Sequence, residues 1–419
     1  MHVVVVGSGV AGDTAAVTAR AQAPEVELTI VSEEKHPLYS ACIFGHFLSG
    51  DIRRPQLFLR TEEDYRRMAI ARVLGAPVIS VDSSRRVVTL EQGELPYDRL
   101  VLATGSRAIV PNIAGCAQRG VFALKSMADL DGLADSLARY PAARIVIVGS
   151  GPVGCELALR LASQGHHACL VERLDRVMPR LLDRDLAAEA QAALEDRGIE
   201  VYVGEEVEEV AGSGMVETVR TNKRELPCDV MCLAVGMRPR TELAQAMGVA
   251  CGKRGGILVD DFMRTNLDGV YACGDCIETQ EVASGEARLS LLWHTAKWQG
   301  DVAGSNSVGV PRRYPGSLNF AVVDMLSGWA GSSGHVREDF GAEEVEIHDR
   351  RTSDCWLRLF LLEDRLSGIQ FVGRSLPRQL GRLLGVMRSR VRLGELRAIQ
   401  EISLAAGAAC RPLGGLPGV

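Results

Sequence analysis

The sequence predicts an α/β protein in which one strand–turn–helix unit occurs twice. The first copy is Gly7-Ser8-Gly9-Val10-Ala11-Gly12, which follows the apolar run His2 to Val6. The second copy is Gly149-Ser150-Gly151-Pro152-Val153-Gly154, which follows Arg144 to Val148. Each copy opens an Ala-rich stretch of helical composition, so each predicts a strand, a tight turn and a helix. We name these two motifs the first and the second glycine loop.

The spacing of the glycines predicts two Rossmann-like dinucleotide sites. The first glycine of such a loop makes a tight turn, the second lets the backbone approach a pyrophosphate, and the third lets the helix pack on the strand. The phosphates then lie at a helix N-terminus. Downstream of each loop a second apolar strand ends in an acid, Glu33 with Glu34 beside it in one unit and Glu172 in the other. A carboxylate there accepts both ribose hydroxyls, and two copies in the same context favour dinucleotide binding over a generic glycine-rich loop.

Length and charge exclude several classes of protein. A chain of 419 residues is too long for one ordinary core, so we expect two or three domains. The formal net charge of -6, without a long basic block, argues against nucleic acid as the main partner. Met1 leads almost directly into the first strand and no apolar run approaches transmembrane length, so we expect a cytoplasmic protein without a signal peptide or a membrane span.

The cysteines predict packing rather than a metal site. The eleven cysteines are scattered, and in a reducing compartment we expect most of them to be free and buried. Cys273 and Cys276 have CxxC spacing, but no second CxxC completes a zinc or iron–sulfur site. We therefore expect no bound metal.

Three further segments carry a family resemblance. Leu100 to Gly105, Ala234 to Pro239 and Val270 to Asp275 each read as an apolar strand that ends in a glycine turn. With the two glycine loops in this order, residues 1 to 310 resemble the two-dinucleotide-binding-domain flavoproteins of the pyridine nucleotide-disulfide oxidoreductase superfamily.

The resemblance implies three domains. Two are Rossmann-like domains for FAD and NAD(P), with the second inserted in the first, and the third is a C-terminal α+β interface domain. The expected boundaries are 1–113 with 243–313 for FAD, 114–242 for NAD(H) and 314–419 for the interface domain.

The resemblance also implies which residues hold FAD. Asp275 matches the family aspartate that hydrogen-bonds the ribityl chain, so Cys273 and Cys276 are interpreted as packing residues. Leu292 to Thr295 falls where the family places a helix N-terminus against the flavin pyrimidine, although Trp293 and His294 could equally pack the domain junction. The implied FAD residues are Gly7, Gly9, Val10, Ala11, Gly12, Glu33, Glu34, Cys42, Val78, Ala103, Thr104, Gly105, Asp275 and Trp293.

In the second unit the resemblance implies an NAD(H) site. Glu172 favours NAD over NADP because a carboxylate repels a 2′-phosphate, whereas Arg173 and Arg176 either oppose that preference or are helix-flank charges. Glu156 matches a family glutamate near the nicotinamide and the flavin and is a candidate catalytic residue, although an acid in a first helical turn is favourable in any case. The implied NAD(H) residues are Gly149, Gly151, Pro152, Val153, Gly154, Glu172 and Gly236.

Cys42 decides the subfamily. Glutathione and lipoamide reductases resemble this chain but carry two cysteines at this place, and the single Cys42 excludes their chemistry. One cysteine resembles NADH oxidases, NADH peroxidases and coenzyme A-disulfide reductases, in which it is catalytic. Two features of this chain depart from those enzymes. Val10 stands where the oxidase and peroxidase branch has a histidine. No tyrosine follows Tyr314, whereas coenzyme A-disulfide reductases use tyrosines in the C-terminal domain. A catalytic Cys42 and a small buried side chain both remain open.

The residues from about Tyr314 predict a separate α+β domain. Trp356 to Leu362 and Ile369 to Gly373 read as a hairpin joined by the turn Glu363-Asp364-Arg365. An arginine-rich helix is expected from Arg374 to Arg397. Its exposed face is either simply solvated or a docking surface for an acidic electron carrier such as ferredoxin.

These observations lead to one functional hypothesis and two alternatives. We expect an FAD-dependent NAD(H):acceptor oxidoreductase that exchanges electrons with an iron–sulfur protein. It would be ferredoxin- or rubredoxin-reductase-like, or the flavin subunit of an aldehyde or oxoacid oxidoreductase, as a homodimer or in a hetero-complex. One alternative is a self-contained NADH oxidase or coenzyme A-disulfide reductase that uses Cys42. The other is a flavin-binding regulator without activity.

Overall fold

The computed structural model of the chain describes residues 1–341, 344–392 and Gly394. Its first segment begins with the strand–turn–helix unit that the first glycine loop predicts. The elements of this segment are, in chain order, β1 (His2–Val6), α1 (Val10–Gln22), β2 (Glu27–Ser32), a 3₁₀ turn (Ala41–Ile43), α2 (Phe44–Leu48), a second 3₁₀ turn (Arg54–Leu57), α3 (Glu62–Arg67), β3 (Ala71–Leu74), β4 (Val78–Asp82), β5 (Val87–Leu90), β6 (Gly93–Pro96), β7 (Arg99–Leu102) and β8 (Ser106–Ala108).

The next segment builds a second parallel sheet. Its elements are β9 (Val121–Phe122), α4 (Met127–Leu137), β10 (Arg144–Val148), α5 (Pro152–Ala162), β11 (His167–Glu172), α6 (Arg184–Glu195), β12 (Glu200–Val203), β13 (Val207–Ala211), β14 (Thr218–Thr221), β15 (Glu225–Pro227), β16 (Val230–Leu233) and β17 (Met237–Pro239). The parallel sheet has the order β12-β11-β10-β16-β9, and β13, β14 and β15 form a small antiparallel sheet.

The chain then returns to the first unit. The elements are α7 (Glu242–Ala246), β18 (Ile257–Leu258), β19 (Val270–Ala272), β20 (Ile277–Gln280), β21 (Ala287–Leu289) and α8 (Trp293–Ser307). Strand β19 joins a parallel sheet of order β19-β7-β1-β2-β3, although the whole second sheet precedes it in the chain. The second unit is therefore inserted into the first, and the antiparallel pair β8 and β17 ties the two crossing chains together.

The central strands are buried because both faces of each parallel sheet are covered. Val3 to Val6 and Ile145 to Val148 are buried, as expected for β-branched runs inside a doubly covered sheet. Helix α8 packs directly on α1, and a Cβ at Gly300 would lie 2.3 Å from the Ala11 carbonyl oxygen. Small residues on both helices thus allow α8 to approach the first glycine loop.

An antiparallel sheet forms the C-terminal part. Its elements are β22 (Phe320–Asp324), β23 (Trp329–Gly334), a 3₁₀ turn (Arg337–Phe340), β24 (Glu346–Arg351), β25 (Cys355–Leu362), β26 (Arg365–Gly373) and α9 (Leu380–Ser389), with the strand order β22-β23-β26-β25-β24. The expected hairpin is present, with a two-residue turn at Glu363 and Asp364, whose φ angles are 49° and 60°. Arg365 belongs to the strand and not to the turn, because two residues with positive φ suffice to join twisted strands.

The arginine-rich helix is shorter than the sequence predicts. We expected helix from Arg374 to Arg397, but α9 covers only Leu380–Ser389. Pro377 precedes it, and a proline disfavours helix in the residue before it. Arg390 ends the helix in the left-handed conformation, with φ of 54°. Residues 395–397 lie outside the described residues.

Candidate functional site

The first glycine loop has the geometry of a phosphate-binding turn. Gly7 has φ of +115°, and a Cβ on it would lie 2.1 Å from the Ala103 carbonyl oxygen. A Cβ on Gly12 would lie 2.0 Å from the Gly7 carbonyl oxygen, whereas a Cβ on Gly9 would meet nothing within 4 Å. Protein atoms therefore require the first and third glycines, while the second faces open space. Val10 and Ala11 begin α1, whose N-terminal amides are available to an anion.

The second glycine loop repeats this geometry. A Cβ on Gly149 would lie 2.5 Å from the Ala234 carbonyl oxygen, and a Cβ on Gly154 would lie 1.9 Å from the Gly149 carbonyl oxygen. A Cβ on Gly151 would again meet nothing within 4 Å. Pro152 occupies the first position of α5, where its missing N–H costs no hydrogen bond, and the exposed Val153 follows.

The two acids at the strand ends differ in their contacts. Glu172 ends β11, and its Oε2 accepts hydrogen bonds from the Ser150 amide at 3.0 Å and the Ser150 hydroxyl at 3.1 Å. It therefore also fixes the second glycine loop. Glu33 directly follows β2, is exposed, and pairs with Arg240. Sequence reasoning missed Arg240 because it lies 207 positions further along the chain.

The neighbours of these acids are placed as follows. Glu34 is half-buried, and its charge acts with burial to raise the pKa of Tyr39. Arg173 is exposed, whereas Arg176 is buried and donates hydrogen bonds to the carbonyls of Leu182 and Pro179. Arg176 thus serves the loop that follows β11.

The crossover between the two units lies beside these loops. The Thr104 hydroxyl donates a hydrogen bond to the Arg240 carbonyl at 2.6 Å, and the Arg240 amide donates to the Gly105 carbonyl at 2.9 Å. Ala103 is buried at the end of β7. Gly236 has φ of +109° and accepts a hydrogen bond from the Ile109 amide at 3.0 Å.

Asp275 follows β19 and is joined to the other unit. Its Oδ2 accepts hydrogen bonds from the Ser106 hydroxyl at 2.6 Å and from Lys125 Nζ at 3.2 Å. Lys125 is a second residue that sequence reasoning missed, because no local pattern marks it. Cys273 and Cys276, on either side of this aspartate, are fully buried and free. Burial raises the pKa of the Cys273 thiol well above its usual value, so both cysteines act as packing residues.

Cys42 lies in the 3₁₀ turn that leads into α2, and it is exposed. Both the catalytic role and the packing role of Cys42 stay predictions. Desolvation by the surrounding protein raises the pKa of its thiol, although the Ser40 hydrogen bond and the Lys125 charge lower it. Glu156 also acts on this thiol and raises its pKa. Cys42 thus lies near the start of α5.

Glu156 lies in the first turns of α5 and takes part in a network that joins all three parts of the chain. His46 Nε2 lies 3.8 Å from Glu156 Oε1, and His46 Nδ1 lies 3.4 Å from Asp51 Oδ2. Arg160, one turn further along α5, donates to Asp51 at 2.7 Å and to Asp324 of β22 at 2.5 Å. Burial raises the pKa of Glu156 to about 7, with Asp324 raising it further and Arg160 opposing the shift. Its carboxyl group therefore exchanges protons near neutral pH.

Two remaining candidates lie elsewhere in the first unit. Trp293 is the first residue of α8 and is half-buried, with the exposed His294 next to it. Val78 opens β4 and packs against the core of the first unit.

The comparisons with known proteins decide the family. Residues 1–300 match the family described as pyridine nucleotide-disulphide oxidoreductase. The chain belongs to this family. As a pyridine nucleotide-disulfide oxidoreductase it is an FAD-dependent NAD(P)H oxidoreductase, and its cofactors are FAD and NAD(H).

The relatives of this oxidoreductase are named for three different activities. It is 34% identical over 329 residues to an NADH oxidase of Methanocaldococcus jannaschii, which covers 77% of this chain and 73% of that protein. It is 30% identical over 345 residues to the biphenyl dioxygenase system ferredoxin–NAD(+) reductase component of Paraburkholderia xenovorans, covering 82% of this chain and 81% of that protein. The structure of an NAD-dependent persulfide reductase from A. fulgidus is similar with a TM-score of 0.90 and 26% identity, covering 95% of this chain and 79% of that chain.

The residues of this oxidoreductase fit two dinucleotides. Each glycine loop has one glycine that faces open space between two that protein atoms require, which is the arrangement a pyrophosphate needs. In the described part of the chain, residues 1–341, 344–392 and Gly394, no group of three or more metal-ligating side chains could hold a metal ion. The same residues contain no helix of the length and hydropathy that a membrane crossing requires.

Proposed function

We propose that this oxidoreductase transfers hydride between NAD(H) and FAD and exchanges the flavin electrons with a separate iron–sulfur protein. The observation that carries the proposal is the environment of Cys42. The groups that act on its thiol are Ser40, Lys125, Glu156 and Asp275, and none of them is a second thiol. Every cysteine in the described part of the chain is free. Among the described residues no second thiol acts on Cys42, which argues against a dithiol relay at this place and favours an external electron carrier as the outlet.

In this proposal each glycine loop binds one of the two cofactors. The first loop and Glu33 hold the ADP half of FAD, and Asp275 receives the ribityl chain. The second loop and Glu172 hold NAD(H), and because Arg176 is committed to neighbouring carbonyls, the carboxylate of Glu172 favours NAD over NADP. The proposed domain boundaries remain 1–113 with 243–313, 114–242 and 314–419, since four strands between residues 2 and 102 share one sheet with the strand 270–272.

The chain's own residues supply charge and a proton acceptor. FAD held by these residues would supply the chemistry of hydride acceptance from the nicotinamide and of electron transfer singly or in pairs. Lys125 brings a positive charge to Asp275 at 3.2 Å, close to where Cys42 stands. Glu156 is placed at the boundary of the two units, and a carboxyl group with a pKa of about 7 can take up or release a proton at working pH.

The test distinguishes electron transfer to a carrier protein from chemistry at the Cys42 thiol. The FAD-loaded protein is reduced with NADH under anaerobic conditions and mixed with a purified acidic [2Fe–2S] ferredoxin while the iron–sulfur spectrum is followed. We expect ferredoxin reduction in the wild type and in Cys42→Ser at similar rates. Failure of the wild type to reduce the ferredoxin, despite full bleaching of the flavin by NADH, contradicts the proposal.

The physiological partner can be identified from the native host. We propose that the chain works either as a ferredoxin or rubredoxin reductase or as the flavin subunit of a complex that oxidises an aldehyde or an oxoacid. Anaerobic purification followed by mass identification of co-purifying chains distinguishes these two arrangements. Stoichiometric iron–sulfur subunits support the complex, whereas a homodimer supports the reductase.

A second candidate function rests on the single thiol of Cys42 and the positive charge of Lys125 that acts on it. That charge favours the thiolate, the form that attacks a disulfide or persulfide substrate, and the NADH oxidase and persulfide reductase among the relatives are consistent with such chemistry. Here Cys42→Ser should abolish NADH-dependent reduction of coenzyme A disulfide or oxygen. Unchanged turnover of both acceptors in the variant excludes this function.

A further inference from the structure

The chain carries one strongly basic stretch, residues 374–392, which we name the basic segment. It contains six arginines and no acidic residue, in a chain whose formal net charge is -6. All six side chains are exposed, and they are Arg374, Arg378, Arg382, Arg388, Arg390 and Arg392.

The apolar side of the segment holds it against the protein. Leu380, Leu383 and Met387 of α9 are buried in the core of the C-terminal sheet. These positions recur at helical spacing and define one face, so the arginines of α9 point away from the core. Within the described part of the chain, five of the arginines form no ion pair, namely Arg374, Arg382, Arg388, Arg390 and Arg392. The positive charge of these five arginines is therefore available to a partner.

The basic segment lies against the helix that packs on the first glycine loop. The Arg388 guanidinium stacks over the Trp298 ring at 4.5 Å. Trp298 belongs to α8, which packs on α1 through Gly300. Desolvation lowers the pKa of His294 in the first turn of α8, and the charge of Arg388 acts in the same direction. The segment thus lies beside the N-terminal turn of α8, where Trp293 was assigned to the flavin.

We propose that the basic segment is the docking surface for the acidic iron–sulfur protein that exchanges electrons with the flavin. This inference rests on the proposed function. The five arginines that form no ion pair among the described residues attract an acidic surface and raise the rate of productive encounter. The position of the basic segment beside α8 brings the bound carrier to the side of the first unit that receives FAD. An isologous contact through this face would bring two basic segments together, and their like charges oppose that arrangement.

Charge reversal in the full-length, FAD-loaded protein tests the inference. The variant is Arg374→Glu with Arg382→Glu, and the control is Arg139→Glu with Arg197→Glu, which changes the net charge equally at two exposed positions of the second unit. The probe is a purified acidic [2Fe–2S] ferredoxin, assayed over a range of ionic strength. Menadione, a neutral acceptor, reports electron flow that needs no protein docking.

In the basic-segment variant we expect kcat/KM for ferredoxin to fall by about tenfold or more at low salt, with a weaker dependence on salt. The control variant should keep the wild-type kcat/KM for ferredoxin and the wild-type salt dependence. Menadione turnover should not change in either variant. Arg374→Gln with Arg382→Gln should show a smaller loss in the same direction, which separates charge from misfolding.

The outcomes distinguish the inference from the proposed function. If the wild type reduces ferredoxin and the charge-reversed variant does so with the same rate and salt dependence, the docking surface is wrong while the proposed function stands. If NADH bleaches the flavin but the wild type neither binds nor reduces ferredoxin, the proposed function fails and the inference fails with it. A loss of self-association with unchanged ferredoxin kinetics assigns the face to a dimer and overturns the inference.

Discussion

His46 Nε2 lies 3.8 Å from Glu156 Oε1, and this contact joins the helix that follows Cys42 to the helix that follows the second glycine loop. The opposite ring nitrogen of His46 faces Asp51, which is half exposed. A titratable chain therefore leads from the boundary of the two cofactor units toward solvent. Glu156 is the less exposed end of this chain, and its raised pKa means that its protonation should be measurable in the stability of the protein.

The first prediction concerns Glu156→Gln and pH. The pKa of Glu156 is about 7 in the folded protein, compared with 4.5 for an ordinary glutamate. The folded state binds more protons between these values, so the favourable contribution is complete below pH 4.5 and is lost as the pH rises through 7. Relative to the variant, the wild-type free energy of unfolding should fall across this window by up to about 3 kcal/mol.

Urea unfolding of the FAD-loaded proteins between pH 5 and pH 8 measures this difference. Glu27→Gln serves as the control because Glu27 is exposed at the start of β2. Parallel pH curves for the wild type and Glu156→Gln would show that Glu156 has an ordinary pKa.

The second prediction concerns Arg160→Leu. The Arg160 side chain is only 5% exposed and donates hydrogen bonds to Asp51 and Asp324. Removing it leaves two partly exposed carboxylates without their cation, and we expect a loss of about 1 to 3 kcal/mol in the free energy of unfolding. Adding Asp324→Asn should recover part of this loss, because the pair is coupled.

Denaturant unfolding of the single and double variants measures the coupling. Arg66→Leu is the matched control, since Arg66 is 75% exposed and its loss should change stability by about 0.5 kcal/mol or less. Strictly additive losses for Arg160 and Asp324 would mean that their contact contributes nothing.

The third prediction compares two alanines in the first glycine loop. Gly9→Ala adds a methyl group to open space, so the protein should fold but retain FAD more weakly, by about tenfold or 1.4 kcal/mol. Gly12→Ala drives a Cβ against the Gly7 carbonyl oxygen and should prevent normal folding. The FAD-to-protein ratio and far-UV circular dichroism separate the two effects. Equal FAD retention in Gly9→Ala and the wild type would contradict the assignment of FAD to this loop.

The fourth prediction concerns Glu172→Gln and cofactor preference. Without the carboxylate charge, the ratio of kcat/KM for NADPH to that for NADH should rise by about tenfold. The amide oxygen can still accept the two Ser150 hydrogen bonds that hold the second glycine loop, whereas the hydrogen bond that Glu172 Oε1 accepts from the Leu174 amide is lost. Arg173→Gln provides the contrasting variant, because Arg173 is the exposed cation of this strand end. A ratio that changes only in Arg173→Gln would show that the arginine sets the preference.

Local patterns predicted the parts of the site that are continuous in sequence. Strands β1 and β10 have the bounds expected from their apolar runs, and both glycine loops have the expected turn geometry. These features depend on residues within a few positions of each other, so periodicity and glycine spacing are enough to predict them.

The charged partners of the site could not be predicted in this way. Lys125 and Asp275 are 150 positions apart, and Arg160 and Asp324 are 164 apart. Such pairs depend on how the inserted unit and the C-terminal sheet meet the first unit, and no local pattern encodes that packing. The helix predicted from Arg374 failed for a different reason, because composition alone gave too little weight to Pro377.

The bonds of Arg160 to Asp51 and Asp324 bear on the smallest fragment of the chain that could work. A protein shortened to end before β22 would keep both glycine loops but lose Asp324. One of the two carboxylates that neutralise the buried Arg160 guanidinium would then be missing. Helix α5, which follows the second glycine loop, would lose its hydrogen bond to the C-terminal sheet. A miniaturised two-cofactor core would therefore need a new carboxylate in place of Asp324, in addition to a new stop codon.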